Sequence, residues 1–234
     1  MVLFKLIIGK WNVFNIDLLS NLVINHLTMI CLKLFIVIMV GSLTSVTNNK
    51  NQQFVQWTVN DKNHIQNKLI PILKKYPPLT SRFHFQLLFL INCMNHSNVQ
   101  EYIQTKKNKF DQQNKDFSLI NNIPFYFNEW LAGFIEAKGS FSIQKMNKNY
   151  SFSIDQTHDK YLMNAMLKFY NTNAKIQIKY SKNTNKDCIY VISFESINDI
   201  TKVVQHCKPI LQGYQFVQLC NFIQNNPKLN YLIE

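Results

Sequence analysis

The spacing of apolar residues changes period at Gly139. Before it, Trp130, Leu131, Phe134 and Ile135 recur as on one side of a helix; after it, Ser140, Phe141, Ser142 and Ile143 alternate as in a half-buried strand. Asn128 stands where it can cap the helix, and Glu129 suits the positive end of the helix dipole. Gly133 and Ala137 lie four apart and form a helix-pairing face with almost no side chain, which lets a second backbone approach closely. Gly139 then stops the helix. Downstream, the pattern predicts strands near Ser140–Lys145 and Tyr150–Asp155. A helix follows from Asp159 to about Tyr170, carrying Leu162, Met163, Met166 and Leu167 on one face. Strands at Ala174–Tyr180 and Asp187–Phe194 and helices near Ile197–Gln205 and Ile210–Gln224 complete an α+β unit.

The first half has a less regular pattern. Residues 1–32 are apolar but interrupted by Lys5, Lys10 and Asp17, and read as an N-terminal extension without an assigned role. Thr28 to Leu43 is strongly apolar, yet short of the roughly 17–25 residues of a membrane span, so a buried central helix is preferred to a membrane segment. Within it Gly41 and Ser45 repeat the four-residue spacing of Gly133 and Ala137. Phe54–Val59 reads as a strand, and Asp61 as the cap of a helix running to about Lys75. Tyr76-Pro77-Pro78 ends that helix, because proline cannot continue the hydrogen-bond ladder. Lys106-Lys107-Asn108-Lys109 lies in a polar segment reaching about Asn122, which is expected to link two halves or to touch phosphates.

Composition narrows the class of partner. The net charge is +12, from 25 Lys plus Arg against 13 Asp plus Glu, which favours a polyanion. Arg82 is the only arginine, and Lys, Asn, Ile, Phe and Tyr dominate, as an A/T-rich coding sequence would produce. Neither an Arg-rich transit peptide nor a signal cleavage site is evident, which is compatible with synthesis inside an organelle. The five cysteines and six histidines are scattered without zinc or redox spacing, so buried free thiols in a reducing compartment are expected. Two polar rows stand out against this background. Ser140, Ser142, Gln144, Ser151, Ser153 and Asp155 alternate along the first strand pair, and Lys175, Gln177 and Lys179 along the next strand. Gln can bond an adenine edge and Lys can reach guanine O6 and N7 in a major groove, so the rows are candidate nucleic-acid contacts.

Trp130-Leu131-Ala132-Gly133-Phe134-Ile135-Glu136-Ala137-Lys138-Gly139-Ser140-Phe141 resembles the signature of the LAGLIDADG homing endonucleases, fitting eight of the nine positions from Leu131 to Gly139. The resemblance implies two αββαββ-type repeats with saddle-shaped antiparallel sheets in one monomeric chain. The first, degenerate repeat with its linker is expected over 33–122 and the second over 123–234. It implies a site-specific DNA endonuclease bound to double-stranded DNA at an intron-insertion site, or an intron maturase that binds its host intron RNA. It also implies fungal-type mitochondrial encoding. Met39 to Thr47 resembles a decayed first copy of the motif, with Gly41 preceding Gly133 by 92 residues (133 minus 41). In the family the eighth motif residue is an acid that holds Mg²⁺. Here those positions are read as Val46 and Lys138, which cannot ligate it, so binding without efficient cleavage is expected. Glu136 cannot substitute, since two residues rotate about 200° around a helix axis. Lysine at a helix C-terminus instead gains roughly 0.3–1 kcal/mol from the dipole. Tyr76 to Arg82 also resembles yeast-type members, placing Arg82 near the DNA backbone or leaving it a solvated surface charge. Gln215 stands about where many relatives carry a lysine near the scissile phosphate.

Overall fold

The computed structural model describes residues 4–8, 14–18, 41–47, 53–95, 108–111, 123–144, 149–180 and 188–232, with isolated positions between 100 and 106. The chain divides into two units, Leu3–Leu119 and Ile120–Glu234.

The first unit is built on strands β1 (Phe4–Ile8), β2 (Phe14–Leu18), β3 (Ser42–Thr47) and β4 (Gln53–Thr58). They form one antiparallel sheet in the order β1-β2-β4-β3. Residues 4–8 and 14–18 are therefore sheet strands, not an extension outside the fold. A helical segment, α1, follows as Lys62–His64, a π-helical turn Ile65–Leu69, and Ile70–Lys75. Asp61 caps it as expected, its Oδ1 accepting from the His64 N–H at 3.0 Å. The wide turn has a sequence cause. Pro71 has no N–H to donate, and the Ile70 N–H bonds back five residues to Ile65, so proline enters at the start of the next helical stretch. Helix α2 (Ser81–Asn95) begins directly after the Tyr76-Pro77-Pro78 break.

The second unit starts with α3 (Phe127–Lys138), then β5 (Ser140–Gln144), β6 (Asn149–Thr157) and α4 (Lys160–Phe169). It continues with β7 (Gln177–Tyr180), β8 (Cys188–Phe194), α5 (Ile197–Cys207) and α6 (Tyr214–Gln224). The sheet order is β5-β6-β8-β7. Alternation sends Phe141, Phe152, Ile154, Ile192 and Phe194 to the side where the helices pack, and all five are buried. Helix α3 is the centre of this layer. Leu131, Ala132, Phe134 and Ile135 are fully buried, and the Trp130 and Phe134 rings stack with centroids 5.0 Å apart. Asn128 does not cap the helix: α3 begins one residue earlier, and the Asn128 carbonyl instead accepts from His206 Nε2 on α5 at 2.9 Å. Gly139 ends the helix as expected, in extended geometry (φ −65°, ψ 150°). Its value lies in close approach, because a Cβ there would stand 2.7 Å from the Ile135 carbonyl oxygen and 3.1 Å from the Phe152 ring.

Both sheets place their strands in the same order: first, second, fourth, third. That identity corrects the repeat assignment. β3 is the counterpart of β7 and is the third strand of its sheet, whereas α3 leads into the first strand of its own. Residues 41–47 are consequently not part of a motif helix, and Met39 and Val40 lie outside the described residues. Gly41 has φ 116° and leads into β3, while Ser45 and Val46 lie within that strand opposite Val55 and Phe54. Neither Gly41 nor Ser45 forms a helix-pairing face, and Val46 does not stand at a helix end. A strand wins here because Leu43-Thr44-Ser45-Val46-Thr47 is rich in β-branched residues and follows a glycine in a backbone conformation that helices do not use. The related pieces lie 132 residues apart (209 minus 77): Pro77-Pro78-Leu79 before α2 matches Pro209-Ile210-Leu211 before α6. The helix expected over 28–43 falls mostly on residues outside those described. Among the described residues, no helix is long and apolar enough to cross a membrane.

Phe134 is the most demanding position in this layer. Phe134→Ala is expected to lower unfolding free energy by about 3–5 kcal/mol, since the stacked, fully enclosed site cannot collapse around alanine. Urea unfolding followed by tryptophan fluorescence would read this.

Candidate nucleic-acid interface

The register brings the predicted polar residues onto one face of the second sheet. Ser140 pairs with Ser153, and Ser153 with Ser193, making a row of three serines across β5, β6 and β8. The next row is Asp155, Val191 and Gln177, and the one beyond is Thr157, Ile189 and Lys179. Ser142, Gln144 and Ser151 alternate onto the same face at the β5–β6 end. All of these point away from Phe152, Ile154 and Phe194, and hence away from the helices. Gln144, Asp155, Gln177 and Lys179 are exposed, while Ser142, Ser151 and Ser153 are half-buried. Ser140 and Ser142 share a hydroxyl contact of 3.4 Å. Lys175 is exposed but precedes β7, so it does not share the strand alternation predicted for it.

At the end of α3 the structure places a buried polar chain. Lys138 Nζ donates to Gln156 Oε1 at 2.8 Å, and Gln156 Nε2 donates to Asp159 Oδ2 at 2.6 Å. Gln156 and Asp159 are 7% and 0% exposed, so this network sits beneath the sheet rather than on it. Burial pushes the Lys138 ammonium below the ordinary lysine range, and the Asp155 and Asp159 carboxylates pull it back up. The residues at this helix end do not fit a divalent metal. The motif position supplies an ammonium, and the enclosed Asp159 is already engaged by Gln156. Among the described residues no cluster of three or more His, Cys, Asp or Glu could hold a metal ion.

Glu136 turns to a different neighbour. Its Oε1 accepts from the Gln215 backbone N–H at 3.1 Å, so a carboxylate from α3 caps the N-terminus of α6. Gly213, the residue before α6, makes room for it: a Cβ there would lie 2.3 Å from the same oxygen. Gln215 is thus held through its backbone in the first turn of α6, and its side-chain Oε1 is buried without a partner. Nothing places it over the strand face that carries Gln177 and Lys179. Gly133 is buried and Ala137 half-buried on α3. In the first unit Arg82 is exposed on α2 with its guanidinium 5.3 Å from the Phe110 ring centroid, and Lys109 Nζ lies 4.9 Å from the same ring. Both cations lie within cation–π distance of that ring.

A four-stranded antiparallel sheet built twice in the order first-second-fourth-third, polar on one face and helix-covered on the other in the second unit, defines the architecture to which comparison with known proteins assigns a family. The family model described as LAGLIDADG endonuclease matches residues 10–93 and 131–225, so the chain belongs to that family. The chain is 36% identical over 138 residues to the probable intron-encoded endonuclease aI3 of Dictyostelium citrinum, covering 58% of this chain and 54% of that protein. It is 29% identical over 216 residues to the protein of the same description in Debaryomyces hansenii, covering 77% of this chain and 30% of that one. It therefore spans about half, or less, of the length of these relatives. Among solved structures, the LAGLIDADG meganuclease I-AabMI bound to uncleaved DNA aligns with a TM-score of 0.66 at 18% identity, over 98% of this chain and 88% of that chain. The meganuclease I-SmaMI bound to uncleavable DNA aligns at 0.63 and 16% identity, over 100% and 90%. At these identities the likeness is one of fold.

The sequence did not point to Gln156 and Asp159. Their signal was a polar pair three residues apart at a strand-to-helix junction, on a strand whose other inward residues are apolar.

The Lys138 environment predicts a pH effect with a definite sign. The folded-state pKa lies below the unfolded value, so the unfolded chain holds more protons between the two. Stability therefore rises as pH increases through the window below 10.5. Subtracting the pH profile of Lys138→Met from that of the wild type should leave this rising component. A flat or falling difference would contradict it.

Proposed function

We propose that this chain is a duplex-DNA-binding portion of an intron-encoded LAGLIDADG endonuclease whose own motif helix carries no metal-binding acid. The observation that carries the reading is the shared face of Ser140, Ser142, Gln144, Ser151, Ser153, Gln177 and Lys179. A twisted antiparallel sheet presents such side chains at spacings that suit the edges of successive base pairs. Lys179 supplies charge for phosphate or guanine, and Gln177 and Gln144 supply paired donor and acceptor groups for adenine. The net charge of +12 drives association with either groove. The DNA-bound relatives of like fold support duplex DNA as the partner.

Strand cleavage through Mg²⁺ at this helix end is not part of the proposal. Lys138 supplies a cation where the family chemistry requires an anion, and Glu136 is directed at the amide of Gln215. That exchange also favours a second reading, a maturase that retains nucleic-acid binding and serves its host intron RNA without cutting DNA. Both readings put the gene within an intron, which the intron-encoded relatives support, and the A/T-rich residue choice favours a mitochondrial one.

Selection from a randomised duplex library would yield the bound sequence. Gln177→Ala is then expected to cost about 1–3 kcal/mol on the selected sequence and to relax preference at one position. Lys179→Ala should weaken binding to all duplexes if it meets phosphate, and lower the salt slope by about one. Unchanged affinity in both variants would remove this face from the interface.

A further inference from the structure

Asp155 is the only acid in strands β5 to β8, and it stands on the face proposed for DNA. It is exposed, and among the described residues its carboxylate accepts no hydrogen bond. An anion is costly there, because the phosphates of a duplex repel it. Its place in the fold reduces that repulsion. β5 begins at Ser140 opposite Ser153, so Asp155, two residues further along β6, stands past the start of β5 and beside the end of α3. Its charge acts on the Lys138 ammonium, whose Nζ bonds the neighbouring Gln156. The lysine thus offsets part of the carboxylate's field and leaves its oxygens open to a ligand.

Chemistry then limits what this carboxylate can meet. Docking removes water from the face, and a charged acceptor left without a donor is penalised more than a neutral one. In the major groove only cytosine and adenine present a donor. Adenine sets the acceptor N7 beside its N6 amino group, guanine offers N7 and O6, and thymine offers O4 and a methyl group. Cytosine N4–H₂ is the one donor without an acceptor beside it on its own base. We infer that Asp155 determines specificity, accepting from cytosine N4 in the major groove and selecting against guanine and thymine at the same position. This rests on the duplex-binding reading above. It also commits the face to B-form DNA, because the major groove of A-form RNA is too deep and narrow for side chains to read. Asp155, Val191 and Gln177 form one row over β6, β8 and β7, with Val191 only 8% exposed between the two polar residues. Strands about 4.8 Å apart separate Asp155 from Gln177 by roughly 10 Å, so the two meet different bases.

The test selects bound sequences from a randomised DNA duplex library with the full chain as wild type, Asp155→Ala and Asp155→Asn. Thermal melts establish that each variant is folded. The wild type is expected to select cytosine at one position and to lose about tenfold in affinity when that C·G pair becomes T·A or G·C. Asp155→Ala should accept all four bases there, keep its other preferences and bind unrelated duplexes at least as tightly, since the repulsion is lifted. Asp155→Asn should turn the preference toward adenine, whose N6 and N7 suit an amide. The same selected sequence from all three proteins would overturn the inference. So would an equal loss of affinity by Asp155→Ala on every duplex, which would make the carboxylate a structural support for Lys138. The two failures are separable. If the face itself is not the interface, Gln177→Ala and Lys179→Ala leave affinity unchanged; if only the role of Asp155 is wrong, those two variants weaken binding while the Asp155 variants keep the wild-type preference.

Discussion

An ammonium group at the end of a buried helix has to find oxygen partners, and the second unit is arranged around that requirement. Lys138 reaches Gln156, which in turn reaches the wholly enclosed Asp159. The chain of bonds ties the end of α3 to the last turn of β6 and the first turn of α4. Two residues earlier on α3, Glu136 faces another way and caps α6. One short helix therefore fixes the sheet through its lysine and a neighbouring helix through its glutamate. Leu131, Phe134 and Ile135 on the same helix are fully buried. A carboxylate in place of Lys138 would add negative charge beside Asp159 at the negative end of a helix, an arrangement that needs a bound cation to be favourable. The lysine supplies that positive charge covalently.

The second unit was legible in the sequence because its local and global signals agree. The helical spacing before Gly139, the alternation after it and the chain-breaking residues near Tyr170 and Pro209 all fall where the elements change. The first unit misled for a physical reason. Gly41 and Ser45 have the spacing of a small-residue helix face, yet spacing alone carries no information about topology. Sheet order does, and it makes residues 42–47 a third strand. The polar rows on β5, β6 and β7 could be read directly, since a period of two survives any uncertainty about neighbours. Which rows share a face could not, because that depends on pairing registers such as Asp155 with Val191 and Gln177 with Val191. The Gln156–Asp159 pair was invisible for a related reason: its partner, Lys138, lies on a different element.

Two faces of one sheet thus carry different duties. The face away from the helices is largely polar, with Lys179 and Asp155 as its charged strand residues. The covered face carries Phe141, Phe152, Ile154, Ile192 and Phe194, with Gln156 buried among them where Lys138 enters. On the proposed reading this LAGLIDADG framework keeps a binding face, while its motif helix ends in a lysine held by internal oxygen partners.

The most direct test is the metal dependence of DNA binding and cleavage by the purified chain on its selected duplex. The account predicts equal affinity in EDTA and in Mg²⁺, with no strand cleavage in either. Mg²⁺-dependent cleavage of the duplex that disappears when Lys138 or Asp159 is replaced would contradict it, because the end of α3 would then hold the metal that its side chains are here read as excluding.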